Sequence, residues 1–190
     1  SASLVGSEMC IRDRYKSRAS EFADTKASVL GDYVASKLEM EEGEVPLFMT
    51  VTVDYRGYML FFYQNGKCAK IPLASYMTKQ NRRKLLKAYS DKEELAAMLH
   101  IEEETELAVF TSGGTGGPRL ILVGSALIPE KATRDTAGIN MVTLKKNARI
   151  AKVRPAAGLE LKDPHRYRVR TLPAAGALLR QEDTTEQMSL

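Results

Sequence analysis

Apolar and polar positions change period along the chain. From Tyr15 to Glu44 the sequence is mostly polar. Its one helical signature follows Gly31, where Val34 and Leu38 stand four apart and Asp32 is placed to cap. Glu39, Glu41, Glu42 and Glu44 then form an acidic spacer, so 15–44 reads as a linker with a short helix. From Val45 the pattern is that of strands. Thr50-Val51-Thr52-Val53 alternates β-branched residues, Asp54 to Gly57 reads as a turn, and Tyr58 to Tyr63 is a nearly continuous apolar run. Asn65-Gly66 between two such runs is a strong hairpin signal. Cys68 to Leu73 is the return strand, with Ala69, Ile71 and Leu73 on one face. Pro72 lacks an N–H, so it marks the end of that strand or a sheet edge.

The order of features then recurs. Glu106 to Thr111 stands where Met59 to Gln64 stood, Ser112-Gly113-Gly114 replaces the Asn65-Gly66 turn, and Arg119 to Val123 is a second return strand. Ser125 to Pro129 corresponds to Leu73 to Met77. A basic loop follows each: Lys79 to Lys84 in the first unit, Lys131 to Thr136 in the second. Each unit closes on further β segments, Leu95 to Ile101 in the first, then Gly138 to Leu144 and Arg149 to Val153 in the second. Glu94 to Ile101 suits a short helix or a strand, and the repeat favours the strand. An offset of about fifty residues is the size of a propeller blade. The expected architecture is mainly β: a first blade-like unit over 45–103, a second over 104–154, and an irregular tail over 155–190.

Composition narrows the function classes. Of 190 residues, 44% are hydrophobic and 27% charged, which is a globular balance. No apolar run approaches the roughly 20 residues of a membrane helix. Cys10 and Cys68 are the only cysteines, so a disulfide framework and a Cys-rich zinc site are excluded, and a reducing compartment such as the cytoplasm is expected. The net charge of +4 conceals an alternation. Lys67 to Lys92 holds 8 basic and 1 acidic residue, Glu93 to Phe110 holds 6 acidic and none basic, and Thr111 to Arg154 holds 8 basic and 2 acidic. Such blocks suit a polyanion if the cations share a face, and a plain solvated surface if they do not.

Several short motifs fall in order at this spacing: Asp54-Tyr55 with Gly57-Tyr58-Met59-Leu60-Phe61-Phe62, Asn65-Gly66-Lys67, Ser75-Tyr76, Asn81-Arg82-Arg83-Lys84-Leu85, Leu127-Ile128-Pro129 and Gly138-Ile139. On these residues the chain, from about Tyr15 to Val153, resembles the C-terminal DNA-wrapping region of the A subunit of bacterial type IIA DNA topoisomerases, gyrase and topoisomerase IV. The resemblance implies a partial β-pinwheel, a propeller-like fold, of about two blades with a basic rim. It implies a DNA-binding and DNA-bending piece of an ATP-dependent isomerase that changes DNA topology. Its partners would be double-stranded DNA, the A-subunit dimer and the ATPase B subunit, with no membrane. ATP and magnesium would serve the parent enzyme, and no cofactor is expected in this chain. The glycine-rich basic loop that marks gyrase has no good match; Gln80 to Lys84 takes a similar place without the glycines. No tyrosine lies in an Arg-Tyr-Thr-like context, so the chain itself is expected to be non-catalytic.

The cations chosen for phosphate contact are Lys67, Lys70, Lys79, Arg82, Arg83, Lys84 and Lys87 in the first unit, and Lys131, Arg134, Lys145 and Lys146 in the second. Arg134 could instead pair with Glu130 or Asp135. Gly113 to Gly117 lacks the Gly-Lys-Ser/Thr ending of a phosphate-binding loop, and no metal-ligand set is expected. Arg166 to Arg170 is either an extended cover for a sheet or a further DNA contact. Ser3 to Arg14, SLVGSEMCIRDR, resembles translated adapter sequence, so residues 1–14 are expected to be non-native. The alternative reading of the whole is a propeller-like protein-interaction module without DNA affinity.

Overall fold

The computed structural model describes residues 14–26, 28–77 and 84–183, with the backbone of residues 2–8. The strands in chain order are β1 (Ala2–Glu8), β2 (Arg14–Arg18), β3 (Val45–Thr52), β4 (Tyr58–Tyr63), β5 (Lys67–Pro72), β6 (Lys84–Leu85), β7 (Leu95–Ile101), β8 (Glu106–Gly113), β9 (Arg119–Gly124), β10 (Ile139–Asn140), β11 (Ala148–Pro155) and β12 (Ala177–Leu178). A single-turn helix, α1 (Val34–Lys37), precedes β3. The strands form three four-stranded sheets, ordered β3-β1-β2-β6, β10-β5-β4-β7 and β11-β8-β9-β12. The chain is mainly β, as expected.

The three sheets share one plan. A central hairpin (β1–β2, β4–β5 or β8–β9) is flanked by a longer strand from later in the chain (β3, β7 or β11), which pairs with the hairpin's first strand. A two-residue strand pairs with the second, and it comes from farther along the chain. β6 arrives only after the β4–β5 hairpin, and β10 only after β8–β9. The two sheets anticipated from sequence are the second and third. The first is built from 2–8, 14–18, 45–52 and 84–85, so it takes in residues read as non-native and as linker.

Two compact units result. One comprises Ser1–Gly57, Pro72–Asp91 and Ala132–Thr136; the other comprises Tyr58–Ile71, Lys92–Lys131 and Ala137–Leu190. In the larger, alternate residues of neighbouring strands meet in one core. Leu60 and Phe62 of β4, Cys68 of β5 and Ile101 of β7 pack with Leu107 and Val109 of β8, Ile121 and Val123 of β9, and Ile150 and Val153 of β11. The Cys68 thiol is fully enclosed there, and burial pushes its pKa up. The opposite face of β8 and β9, with Phe110, Leu120 and Leu122, is closed by Tyr167, Leu159 and Leu161 from the tail.

The described tail is irregular, as expected, apart from β12 and single 3-10 turns at Pro164–Arg166 and Gln181–Asp183, and it is held to β9 by pairing. Leu122 N–H donates to the Tyr167 carbonyl at 2.8 Å and Val169 N–H to the Leu122 carbonyl at 3.0 Å. In the smaller unit Tyr15 and Leu38 pack with Phe22, Val34 and Met40, which realises the Val34/Leu38 face read from sequence. Asp32 does not cap α1; its carboxylate instead accepts the Ala23 N–H at 2.7 Å.

Candidate nucleic-acid interface

In the larger unit two hairpin tips close on one segment. At the β4–β5 tip the Gly66 carbonyl accepts the N–H groups of Met141 and Val142 at 3.0 and 2.9 Å. At the β8–β9 tip Gly113 and Gly114 have φ of +72° and +76°. A Cβ on Gly113 would stand 2.7 Å from the Asn147 carbonyl, and one on Gly114 2.8 Å from that of Lys146. Glycine is therefore required for this turn to lie against the Lys145–Ala148 backbone. The glycine run read as a weak phosphate-loop candidate is explained by that approach.

The segment held between the tips carries the cations. Lys145 and Lys146 are exposed on the turn closed by the Ala148 N–H to the Lys145 carbonyl at 2.9 Å. Lys67 is half-buried at the start of β5, where its N–H donates to Asn65 Oδ1 at 3.1 Å. Arg149 is exposed at the start of β11, opposite Ser112 in register. Sequence reading passed over Arg149 as a strand residue. The signal was present, because Ile150 points into the core and its neighbour must point out. Glu94 is the exposed acid at this end, with its carbonyl bonded to the Gln64 N–H at 2.8 Å.

Lys131 is exposed, its N–H bonded to the Lys70 carbonyl at 2.8 Å. Lys70 departs from the expectation. Its side chain is turned inward and only 3% of the residue is exposed. The ammonium donates to the Glu104 carboxylate and to the Ser125 carbonyl, the latter at 3.2 Å, and sits 4.2 Å from the centre of the Tyr58 ring. It is occupied by the fold and has no free face for a phosphate.

In the smaller unit Lys84 also differs from the exposed loop cation expected. It belongs to β6, its Nζ lies 2.8 Å from Glu41 and 3.5 Å from Glu44, and it stands over the Tyr15 ring at 5.5 Å. The acidic spacer supplies its partners, a contact that no local pattern announces. Lys87 is exposed, with φ of +53°. Arg134 is half-buried, with Nη1 3.4 Å from the Ser75 carbonyl. Lys79, Arg82 and Arg83 lie outside the described residues. Also in this unit, Arg14 is only 4% exposed, and none of its three guanidinium nitrogens has a hydrogen-bond partner. Burial lowers its pKa to about 10, although it stacks 5.2 Å from the Tyr76 ring centre.

Among the described residues no group of three or more His, Cys, Asp or Glu side chains could hold a metal ion, and no helix is long and apolar enough to cross a membrane.

No protein-family model matches the chain, and no curated protein sequence is significantly similar to it. Solved structures are similar in fold. The crystal structure of the C-terminal domain of DNA topoisomerase IV matches with a TM-score of 0.72 at 15% identity, over 93% of this chain and 58% of that one. The DNA gyrase A C-terminal domain matches with a TM-score of 0.62 at 14% identity, over 93% and 59%. The E. coli ParC C-terminal domain matches with a TM-score of 0.63 at 12% identity, over 95% and 77%. The chain thus has the fold of these topoisomerase C-terminal domains and spans under two thirds of the first two.

Proposed function

We propose that the chain binds and bends duplex DNA without sequence preference, as the C-terminal part of the A subunit of a type IIA topoisomerase. The observation that carries this is the Lys145-Lys146 turn, clamped between two hairpin tips, with Lys67 and Arg149 beside it. Cations on turns anchored to sheets are held at set positions. They can neutralise phosphates and release counterions, and such contacts position DNA without reading bases. A rigid row of them repays the cost of bending a short duplex, which is of order 1–6 kcal/mol by elastic estimates. The likeness to gyrase A and topoisomerase IV domains supports the same reading at the level of fold.

In this reading the parent enzyme hydrolyses ATP with magnesium, and an A-subunit dimer works with the ATPase B subunit in the cytoplasm. This chain contributes DNA geometry and no bond-breaking chemistry. A duplex of about one persistence length, ~150 bp, labelled at both ends, tests the bending. Adding the chain should bring the ends together in an energy-transfer measurement, equally for unrelated sequences. Binding with no change in end-to-end distance would remove the bending claim. A covalent tyrosyl–DNA adduct would remove the non-catalytic one.

A further inference from the structure

A small pocket lies between the β8–β9 hairpin and the clamped turn, wholly within the larger unit. Thr111, Gly113, Gly117 and Arg119 of the hairpin line it, with Thr143 and Lys145 of the facing segment. Its space is about that of one water molecule. No acidic residue lines it, and two cations do. Arg119 is half-buried at the start of β9. Its Nη1 donates to the Gly176 carbonyl at 2.8 Å, which pins the guanidinium against the tail. Its Nε is buried and has no hydrogen-bond partner. The edge left over is Nε with Nη2, the side of the group that grips an oxyanion at two points.

Among the described residues no carboxylate answers the Arg119 charge, whereas Lys70 and Arg168 in the same unit meet Glu104 and Glu106. Thr111 is 4% exposed and accepts the Arg119 backbone N–H on Oγ1 at 3.2 Å, so its own O–H remains to donate. A buried donor without a partner is a cost to the fold, and here an unanswered charge accompanies it. We propose that the pocket is an oxyanion seat for one non-bridging oxygen of a duplex backbone phosphate, with Arg119 as the forked donor and Lys145 as the neighbouring charge. This rests on the DNA-binding reading above and adds a residue set beneath the exposed turn. Size selects the ligand. A phosphate oxygen projects singly from the duplex and suits a water-sized space, whereas a base or a sugar is too large. The pinned guanidinium fixes where that oxygen sits, which a flexible lysine on an exposed turn does not do.

Heteronuclear NMR of the arginine side chains in the full chain tests this, with the Arg119 Nε–H signal identified by its loss in Arg119→Lys. Inorganic phosphate, compared with chloride at equal ionic strength, should shift that signal to saturation in the DNA-free chain. A short duplex should shift it in the same direction. In anisotropy titrations Arg119→Met, with the parent's circular dichroism, should bind unrelated duplexes about tenfold more weakly and lose roughly one unit of salt slope. Should Arg119→Met fail to fold, the signal in the parent still decides. A signal indifferent to phosphate and to a duplex that binds would overturn the seat and leave a water in the pocket, with the DNA-binding reading intact. A signal that phosphate moves and a bound duplex does not would overturn the backbone phosphate as its ligand. A signal that phosphate moves in a chain that binds no duplex would overturn that ligand and the DNA-binding reading together, leaving a site for free phosphate.

Discussion

The Tyr167 hydroxyl donates to Asp183 Oδ2 at 2.6 Å, and both residues are buried. The same carboxylate accepts the Lys162 N–H at 3.1 Å, and the tyrosine oxygen accepts the Arg180 N–H at 3.2 Å. Three stretches of the tail are thereby tied to one ring, which packs on Phe110, Leu120 and Leu122.

Tyr167→Phe keeps the ring and removes the bonds. It should cost about 1–3 kcal/mol, because it leaves a buried carboxylate short of a donor. Urea denaturation measures the loss. Faster hydrogen exchange at Val169 and Leu179 would place it in the tail.

Acid should act through the same clasp. Burial pushes Asp183 upward, but hydrogen bonds from Tyr167 and Lys162 and the charges of Arg180 and Lys162 outweigh it, so its pKa lies below the usual carboxylate value. Glu104 is lowered in the same way: burial opposes, and the bonds from Lys70 and Ser125 with the Lys70 charge prevail. A folded-state pKa below the unfolded one stabilises at neutral pH, and that stabilisation is lost as pH falls through the lowered value. The melting temperature should therefore hold from pH 7 to about 5 and drop below about 4. Asp183→Asn should start lower at pH 7 and fall less steeply; an equally steep fall would exclude Asp183 as a source.

Arg14 carries the opposite expectation. A buried guanidinium without a hydrogen-bond partner is a cost to the fold. Arg14→Met, close in volume and apolar, should raise stability by about 1–3 kcal/mol. A loss measured by thermal melting would show that the guanidinium has a partner in solution.

Lys70→Met separates structural from surface cations. Removing the partner of Glu104 and the Ser125 carbonyl should destabilise by about 1–3 kcal/mol, while DNA affinity measured on the folded variant stays that of the parent.

Much of the larger unit was legible. Asn65-Gly66 and Gly113-Gly114 announced two hairpins, β7 proved a strand, β5 ends at Pro72, and the turns Leu73–Tyr76 and Ser125–Leu127 repeat as matched. These are local signals. The two-residue strands β6 and β12 were not legible, since a strand that short has no period and exists only because a distant strand needs its edge paired; β10 falls inside the Gly138–Leu144 segment read as β, but its pairing with β5 was not read. The sheet containing β1 and β2 was missed because 2–8 and 14 were read as non-native and 15–18 as linker, while β3 was read as the opening strand of the first blade-like unit and β6 as the end of its basic loop. The inward turn of Lys70 and the pairing of Lys84 depend on Glu104, Ser125, Glu41 and Glu44, all more than thirty residues away. A run of basic residues reads alike whether its members face solvent or a buried acid. Arg149 was legible by alternation, and was overlooked.

The central claim is that exposed turn cations bind duplex DNA through its phosphates. The most direct measurement is fluorescence anisotropy of a labelled duplex titrated at several salt concentrations, for the parent chain and for Lys145→Ala/Lys146→Ala/Arg149→Ala. The parent's log affinity should fall linearly with log salt between about 50 and 200 mM, alike for unrelated sequences. The triple variant should melt within about 0.5 kcal/mol of the parent, bind every sequence more weakly, and lose roughly one unit of salt slope per phosphate contact removed. A parent affinity that ignores salt, or a triple variant that binds as tightly as the parent at every salt concentration, would contradict the claim and turn these residues into ordinary solvated surface.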